Sequence, residues 1–341
     1  MKILITGGCG FVGSNIAIYL KKKIKKVKIS SLDNLMRKGS VINKNRLKNH
    51  NIKNYNINIE KFNKVKYLQK FDLIIDCCAE PAIEASKKNP ETVFYTNLVG
   101  TFNILKKCIK DKTNIIFLSS SRVYSINKLR NLIKKNILAK PIKINKQIDS
   151  SFDTTSPSSL YGFTKLASEK LIKEFFFTTK LKYIINRFGV IAGPWQFGKQ
   201  DQGFVPLWVA RHLFKKKLSY IGFGGYGHQV RDIIHIDDVC KIIYLQIKKL
   251  KRINNTTFDI GGGRNNSISL KELTTKCEKL TKNKIKIRRI SKTSIFDIPY
   301  YVTNNSKIRK NYSWKPTKSV DQILKDINAW LIKNKILRNY F

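Results

Sequence analysis

The stretch Thr6-Gly7-Gly8-Cys9-Gly10-Phe11-Val12-Gly13 constrains this chain more than any other. A β-rich run, residues 2–6, ends on glycines spaced G-x-x-G-x-x-G (Gly7, Gly10, Gly13), and residues 11–22 follow with apolar side chains at helical spacing. Strand, glycine turn and helix in that order open a dinucleotide-binding βαβ unit. The first glycine permits a tight turn, the second lets the backbone approach a pyrophosphate, and the third lets helix and strand pack closely. A pyrophosphate there rests on the free amides of the helix N-terminus. Asp33 closes the next β-rich run, 27–32, twenty residues beyond Gly13, where a carboxylate accepts hydrogen bonds from ribose hydroxyls. The same carboxylate repels a 2′-phosphate, so the pattern favours NAD over NADP; Arg37 and Lys38 pull the other way.

Downstream, strand and helix patterns keep alternating. Strands are expected at 55–59, 71–78, 115–119 and 183–188, and a helix over about 93–109. The apolar run 71–78 is of the kind buried on both faces of a parallel sheet. This alternation predicts a doubly wound α/β domain with right-handed crossovers. Beyond Gly193 the pattern loosens into a glycine-rich turn at 222–227, a strand at 258–263, and helices over 270–281 and 320–334. The least regular stretch is 125–159, with Pro141 and Pro157, which reads as a lid or an inserted excursion.

Lys and Arg outnumber Asp and Glu by 67 to 22, a formal charge of +45. Such a balance invites a nucleic-acid or membrane-surface reading. Yet lysine is scattered from Lys2 to Lys335 without a basic block, as in a background rich in lysine, isoleucine and asparagine, so neither nucleic acid nor membrane is the expected partner. The six cysteines make no C-x-x-C pair and the four histidines are dispersed, which argues against a metal site and a disulfide framework. No run of 18 apolar residues occurs, and the expectation is a soluble, reduced, cytoplasmic protein.

A second chemical signal is Tyr161-Gly162-Phe163-Thr164-Lys165, which puts a phenol and an ammonium one helical turn apart. A neighbouring ammonium favours the phenolate and makes tyrosine a usable general base. By itself the spacing is common on solvated helix faces. Ser119-Ser120-Ser121 adds to it, because a hydroxyl closing a buried strand stands where open α/β sheets meet ligand.

Together with Asn97-Leu98-Val99-Gly100-Thr101 and Arg231-Asp232-Ile233-Ile234-His235-Ile236-Asp237-Asp238, these segments resemble the extended short-chain dehydrogenase/reductases, the nucleotide-sugar epimerases and dehydratases. The resemblance covers nearly the whole chain. It implies a Rossmann-like NAD-binding domain over 1–185, joined by about 232–262, and a smaller C-terminal domain from 186–231 and 263–341 that binds a nucleoside-diphosphate sugar. It implies catalysis by Tyr161, Lys165 and Ser120, the hydroxyl four residues before Tyr124. Implied NAD contacts are Gly7, Gly10, Phe11, Val12, Gly13, Asp33, Asn34, Asn58, Ile59, Ala79, Asn97, Tyr161 and Lys165. Implied substrate contacts are Ser121, Arg122, Asn186, Trp195, Gln196 and Arg231. A homodimer or higher homo-oligomer through the helices near 93–109 and 161–177 is also implied.

Cys77-Cys78-Ala79-Glu80-Pro81, the run from Asn186 to Gln196, and Ser219-Tyr220-Ile221-Gly222 are similar to a subgroup that epimerises CDP-linked sugars at carbon 2. The dehydratases carry Asp-Glu after the catalytic hydroxyl; here Ser121-Arg122 stand there, and neither protonates a leaving hydroxyl as a carboxylic acid does. Val190 and Pro299 replace an Asn and an Arg that many relatives aim at the diphosphate. The competing readings are a UDP-sugar 4-epimerase, a net NAD-dependent dehydrogenase, and an idle scaffold that binds RNA.

Overall fold

The aliphatic runs Ile3-Leu4-Ile5, Ile74-Ile75 and Ile115-Ile116-Phe117 are buried throughout, as strands covered on both faces require. The computed structural model describes residues 1–81, 88–133, 135, 137–198 and 202–341, with backbone alone at 335 and 336. Its strands in chain order are β1 (Lys2–Thr6), β2 (Lys28–Leu32), β3 (Lys53–Tyr55), β4 (Leu73–Asp76), β5 (Asn114–Ser120), β6 (Tyr183–Phe188), β7 (Val190–Ala192), β8 (Leu218–Ile221), β9 (Val230–His235), β10 (Thr256–Ile260), β11 (Ser267–Ser269), β12 (Ile287–Ile290) and β13 (Tyr300–Tyr301).

Seven of them form one sheet in the order β10-β6-β5-β4-β1-β2-β3. β1 to β5 pair in parallel. The chain moves outward from β1 through β2 to β3, then restarts at β4 on the other side of β1. This reversal is the switch point at which open α/β sheets take ligands. Leu4, Ile74, Ile115 and Phe117 pack on Ile104, Leu105 and Cys108 of the helix Gly100–Asp111 and on Ile172 and Phe176 of the helix Leu160–Phe177. Strand alternation sends Ile3, Ile5, Ile75 and Ile116 to the opposite face. The fold is a Rossmann-like, doubly wound α/β fold.

The expected single helix over about 93–109 is built differently. Asn89 caps a short helix Pro90–Phe94, a π-helical turn follows at Tyr95–Val99, and a regular helix resumes over Gly100–Asp111. Apolar spacing does not reveal a turn holding one residue too many.

The chain divides into two compact units. The first comprises Met1–Val123, Ser159–Arg187 and Val239–Phe258; the second comprises Tyr124–Ser158, Phe188–Asp238 and Asp259–Phe341. The irregular stretch 125–159 thus falls almost wholly in the second unit, where Ile148 bridges to Thr303 and Arg130 donates to the carbonyls of Ser294 and Asp297. Residues 134 and 136 of that stretch lie outside the described residues. In the second unit β9 pairs with β7, β11 and β13, and β8 pairs with β12. Among the described residues no helix is long and apolar enough to cross a membrane, no group of His, Cys, Asp and Glu could hold a metal ion, and the six cysteines are free.

Candidate active site

The glycine turn begins where β1 ends. Gly7 has φ +59°, and a Cβ on it would stand 2.9 Å from Cys78 Cα, beyond the end of β4. A Cβ on Gly13 would stand 2.4 Å from Gly7 O. Gly10 differs: a Cβ there would meet only Gly7 O, at 3.0 Å, and otherwise open space. Gly7 and Gly13 therefore shape the turn, while Gly10 leaves bare backbone at the start of the helix Phe11–Lys23. That helix has no side-chain cap and no acidic residue in its first turn, and the carboxylate of Asp33 stands beside its start, on the Cys9 N–H. Phe11 and Val12 are half-buried beside it.

Asp33 is held at the end of β2 by the backbone N–H of Cys9 at 3.0 Å and of Leu35 at 2.8 Å. Burial pushes its carboxyl pKa up, while those donors and the charge of Arg37 oppose the rise. Each carboxylate oxygen has a lone pair left for a further donor. The neighbouring Asn34 is exposed and its Oδ1 accepts the Met36 N–H.

The far wall follows β3 and β4. Asn58 accepts the Glu60 N–H and donates to the Glu60 carboxylate, Ile59 is buried against Gly100, and Ala79 is half-buried. Asn97, implied as an NAD contact, is fully buried in the π-helical turn. Its Oδ1 accepts the Glu80 N–H at 2.7 Å, and its Nδ2 donates to Glu80 O at 3.2 Å and to Thr164 Oγ1 at 3.1 Å. It clamps the loop after β4 to the Tyr161 helix; its amide is spent on protein rather than aimed outward.

The three serines closing β5 divide their work. The Ser119 hydroxyl donates to Glu169, which Arg187 holds through Nε and Nη2, the latter at 2.7 Å. Ser120 accepts the Arg122 N–H at 3.1 Å and favours the charged form of the Tyr161 phenol. Ser121 and Arg122 follow on a short turn, both half-buried. Ser159 caps the helix Leu160–Phe177 by accepting the Gly162 N–H, which sets Tyr161 in the first turn and Lys165 one turn later.

Burial raises the Tyr161 pKa; the Ser120 hydroxyl and the charges of Arg122 and Arg37 oppose this, and Glu80 adds to it. Lys165 is 2% exposed, with Nζ 4.2 Å from the centroid of the Phe117 ring. Burial lowers its pKa against the pull of Asp76, Cys78, Cys77 and Glu169. The spacing alone suggested a phenol lowered by its ammonium neighbour. In the fold, desolvation sets the direction, and it is upward.

Two substrate positions are placed differently from expectation. Asn186 is fully buried in β6, exchanging amide hydrogen bonds with Gln246 at 2.8 and 2.7 Å. It braces the interior of the first unit instead of meeting substrate. Arg231, in the second unit, donates to Asp297 Oδ1 at 3.1 Å and to the carbonyls of Ile298 and Val230. Asp297 is a carboxylate partner of its guanidinium. Trp195 has φ +71° and lies 5.7 Å, ring to ring, from Trp330. Gln196 donates to Ile191 O, while its Oε1 is buried without a hydrogen-bond partner. The second unit also holds a pocket of about 720 Å³ lined, among the described residues, by Arg130 and Lys135 together with Asn127, Phe223, Thr293 and Pro299.

Sequence reasoning passed over Glu80, Asp76 and Glu169. Asp76 accepts hydroxyl hydrogen bonds from Thr6 and Thr101 and acts on Lys165 from below. Glu169 follows Lys165 by four residues on one helix face, a spacing that could have drawn attention to it.

The model of the NAD dependent epimerase/dehydratase family matches residues 3–261. The chain belongs to that family. The CDP-paratose 2-epimerase of Salmonella typhi is 27% identical over 97% of this chain and 99% of its own length. Two solved structures have the same fold over 98% of this chain: the UDP-glucose 4-epimerase of Thermotoga maritima with UDP-glucose, 24% identical over 100% of that chain with a TM-score of 0.82, and the UDP-glucuronic acid 4-epimerase of Bacillus cereus with UDP-glucuronic acid and NAD, 22% identical over 99% with a TM-score of 0.82. NAD is the family's cofactor, and the residues present fit it. The bare backbone at Gly10, the helix start without a side-chain cap and the carboxylate of Asp33 at the end of β2 provide for a pyrophosphate and a ribose.

Proposed function

We propose that this enzyme epimerises a nucleoside-diphosphate sugar, CDP-linked and at carbon 2. The observation that carries this reading is the placement of Tyr161 in the capped first turn of the helix Leu160–Phe177, with Lys165 one turn further along it and Ser120, which favours the phenolate, at the end of β5. Bound NAD supplies the transient oxidation and re-reduction of the sugar carbon, with no net redox change. Gly7, Gly10, Gly13 and Asp33 hold that cofactor. Tyr161 takes the proton of the sugar hydroxyl at its phenol oxygen and later returns it. Ser120 orients the reacting oxygen, and Ser120 and Arg122 favour the charged phenolate. Lys165 holds the nicotinamide ribose.

Ser121-Arg122 at the position of the dehydratases' acid pair supports epimerisation over elimination of water. The near full-length likeness to a CDP-paratose 2-epimerase supports a CDP-sugar. In this reading the first unit carries the cofactor, and the second carries the nucleotide sugar through Arg231, Trp195 and Gln196. The pocket with Arg130 and Lys135 adds cationic groups of the kind a diphosphate requires, in a volume ordinary for small-molecule sites. Phe94, Tyr95 and Phe102 on one helical segment and Phe163 and Phe177 on the other are exposed, which supports pairing of two copies there. The experiment is incubation with CDP-, UDP-, GDP- and dTDP-sugars and chromatography of the products. The expected result is inversion at carbon 2 of a CDP-sugar without net accumulation of reduced cofactor. Inversion at carbon 4 of a UDP-sugar favours the 4-epimerase reading instead, and stoichiometric reduced cofactor favours a dehydrogenase.

A further inference from the structure

Glu80 has no part in the chemistry above, yet the structure fixes it firmly. Its backbone is clamped on both sides by Asn97, and its Oε1 accepts from Arg37 Nη1 at 3.1 Å. Arg37 stands four residues beyond Asp33, and its positive charge reaches the Asp33 carboxylate. Arg37 and Glu80 also act on Tyr161, with opposite signs. Arg37 is therefore felt at both Asp33 and Tyr161, and its partner Glu80 at Tyr161. Its side chains are 37% and 23% exposed, and a pair so open to water contributes little to folding. Stability does not account for placing two opposite charges there.

We propose that Glu80 is a specificity-determining residue for the cofactor. By holding Arg37 in a neutral pair, it withholds from a 2′-phosphate on the ribose at Asp33 a guanidinium whose charge acts on that carboxylate. An arginine fork suits a phosphate better than any other side chain. Beside Asp33, a free Arg37 would offset the carboxylate's repulsion of that phosphate; paired with Glu80, it does not. The role of Arg37 is thereby reversed: it stands at the NADP position but is claimed by a carboxylate. The inference rests on the proposed contact of Asp33 with the ribose.

The test is calorimetric titration of NAD and NADP into the full chain freed of bound dinucleotide. Glu80→Gln keeps the shape and removes the charge. It is expected to raise affinity for NADP relative to NAD about tenfold, a gain that salt weakens. Adding Arg37→Gln to that variant is expected to erase the gain, and Glu80→Asp to restore the wild-type ratio. An unchanged ratio in Glu80→Gln overturns the proposal, as does a gain that survives the loss of Arg37. If Gln at position 80 does not fold, Glu80→Ala is read the same way. Sugar conversion by the same variants separates the failures: an unmoved ratio with intact epimerisation sinks only the role of Glu80, whereas a wild-type chain that binds neither dinucleotide sinks both.

Discussion

In the first unit the candidate residues are set by the backbone: Gly7 and Gly13 by close approach, Asp33 by two amides, Tyr161 by a capped helix start. In the second unit Arg231 is set by Asp297 and two carbonyls, and Trp195 by another tryptophan. Geometry fixed by backbone follows from the fold and is shared wherever the fold is shared. Geometry fixed by side-chain partners changes with each partner. On the proposed reading, the chemistry of the reaction is written in the first unit, and the identity of the sugar nucleotide in the second.

The largest expected effect tests the first half of that contrast. Tyr161→Phe keeps the ring packed and removes the proton carrier, so kcat should fall by about 10²–10⁴-fold while NAD binding by calorimetry stays near wild type. Retention of turnover would move the chemistry elsewhere. A smaller effect tests the second half. Arg231→Ala should raise KM for the nucleotide sugar by about 10–100-fold, the worth of a charge-assisted contact, with kcat and NAD affinity little changed. Loss of NAD binding in that variant would break the division between the units.

The smallest effect concerns pH. Tyr161 is pushed up by burial, and Arg122 is one of the charges opposing that. A group with a raised pKa needs a higher pH to act as base, so kcat/KM should rise with pH toward that pKa. Arg122→Gln removes a charge that favours the phenolate and should move the profile further to alkaline pH. A shift to acid pH would reverse the assigned sign.

Much of this was legible in the sequence. β6 and the helix Leu270–Thr281 fall where periodicity puts them, and the glycine spacing falls on the turn after β1 with Asp33 beside it. The amides were not legible. Asn97 and Asn186 lie in family motifs, but whether an amide faces a ligand or a neighbour depends on residues as distant as Gln246, sixty positions from Asn186. The direction of the Tyr161 shift was also hidden. An ammonium at i+4 is visible in a string of letters, whereas desolvation belongs to the assembled core.

The π-helical turn at Tyr95–Val99 carries a consequence for how this segment tolerates change. It holds one residue more than a regular helix would, and Asn97 points correctly only because of that residue. Deleting a single position there lets the helix close into regular turns and rotates everything on one side of it by about 100° against the other. Asn97 would leave both Glu80 and Thr164, and Gly100 would leave Ile59. Substitutions on the outer face of this segment, at Tyr95 for example, should be absorbed one by one, whereas a one-residue deletion should be lost from any population that needs the enzyme. Along these five residues, length is under stricter control than identity.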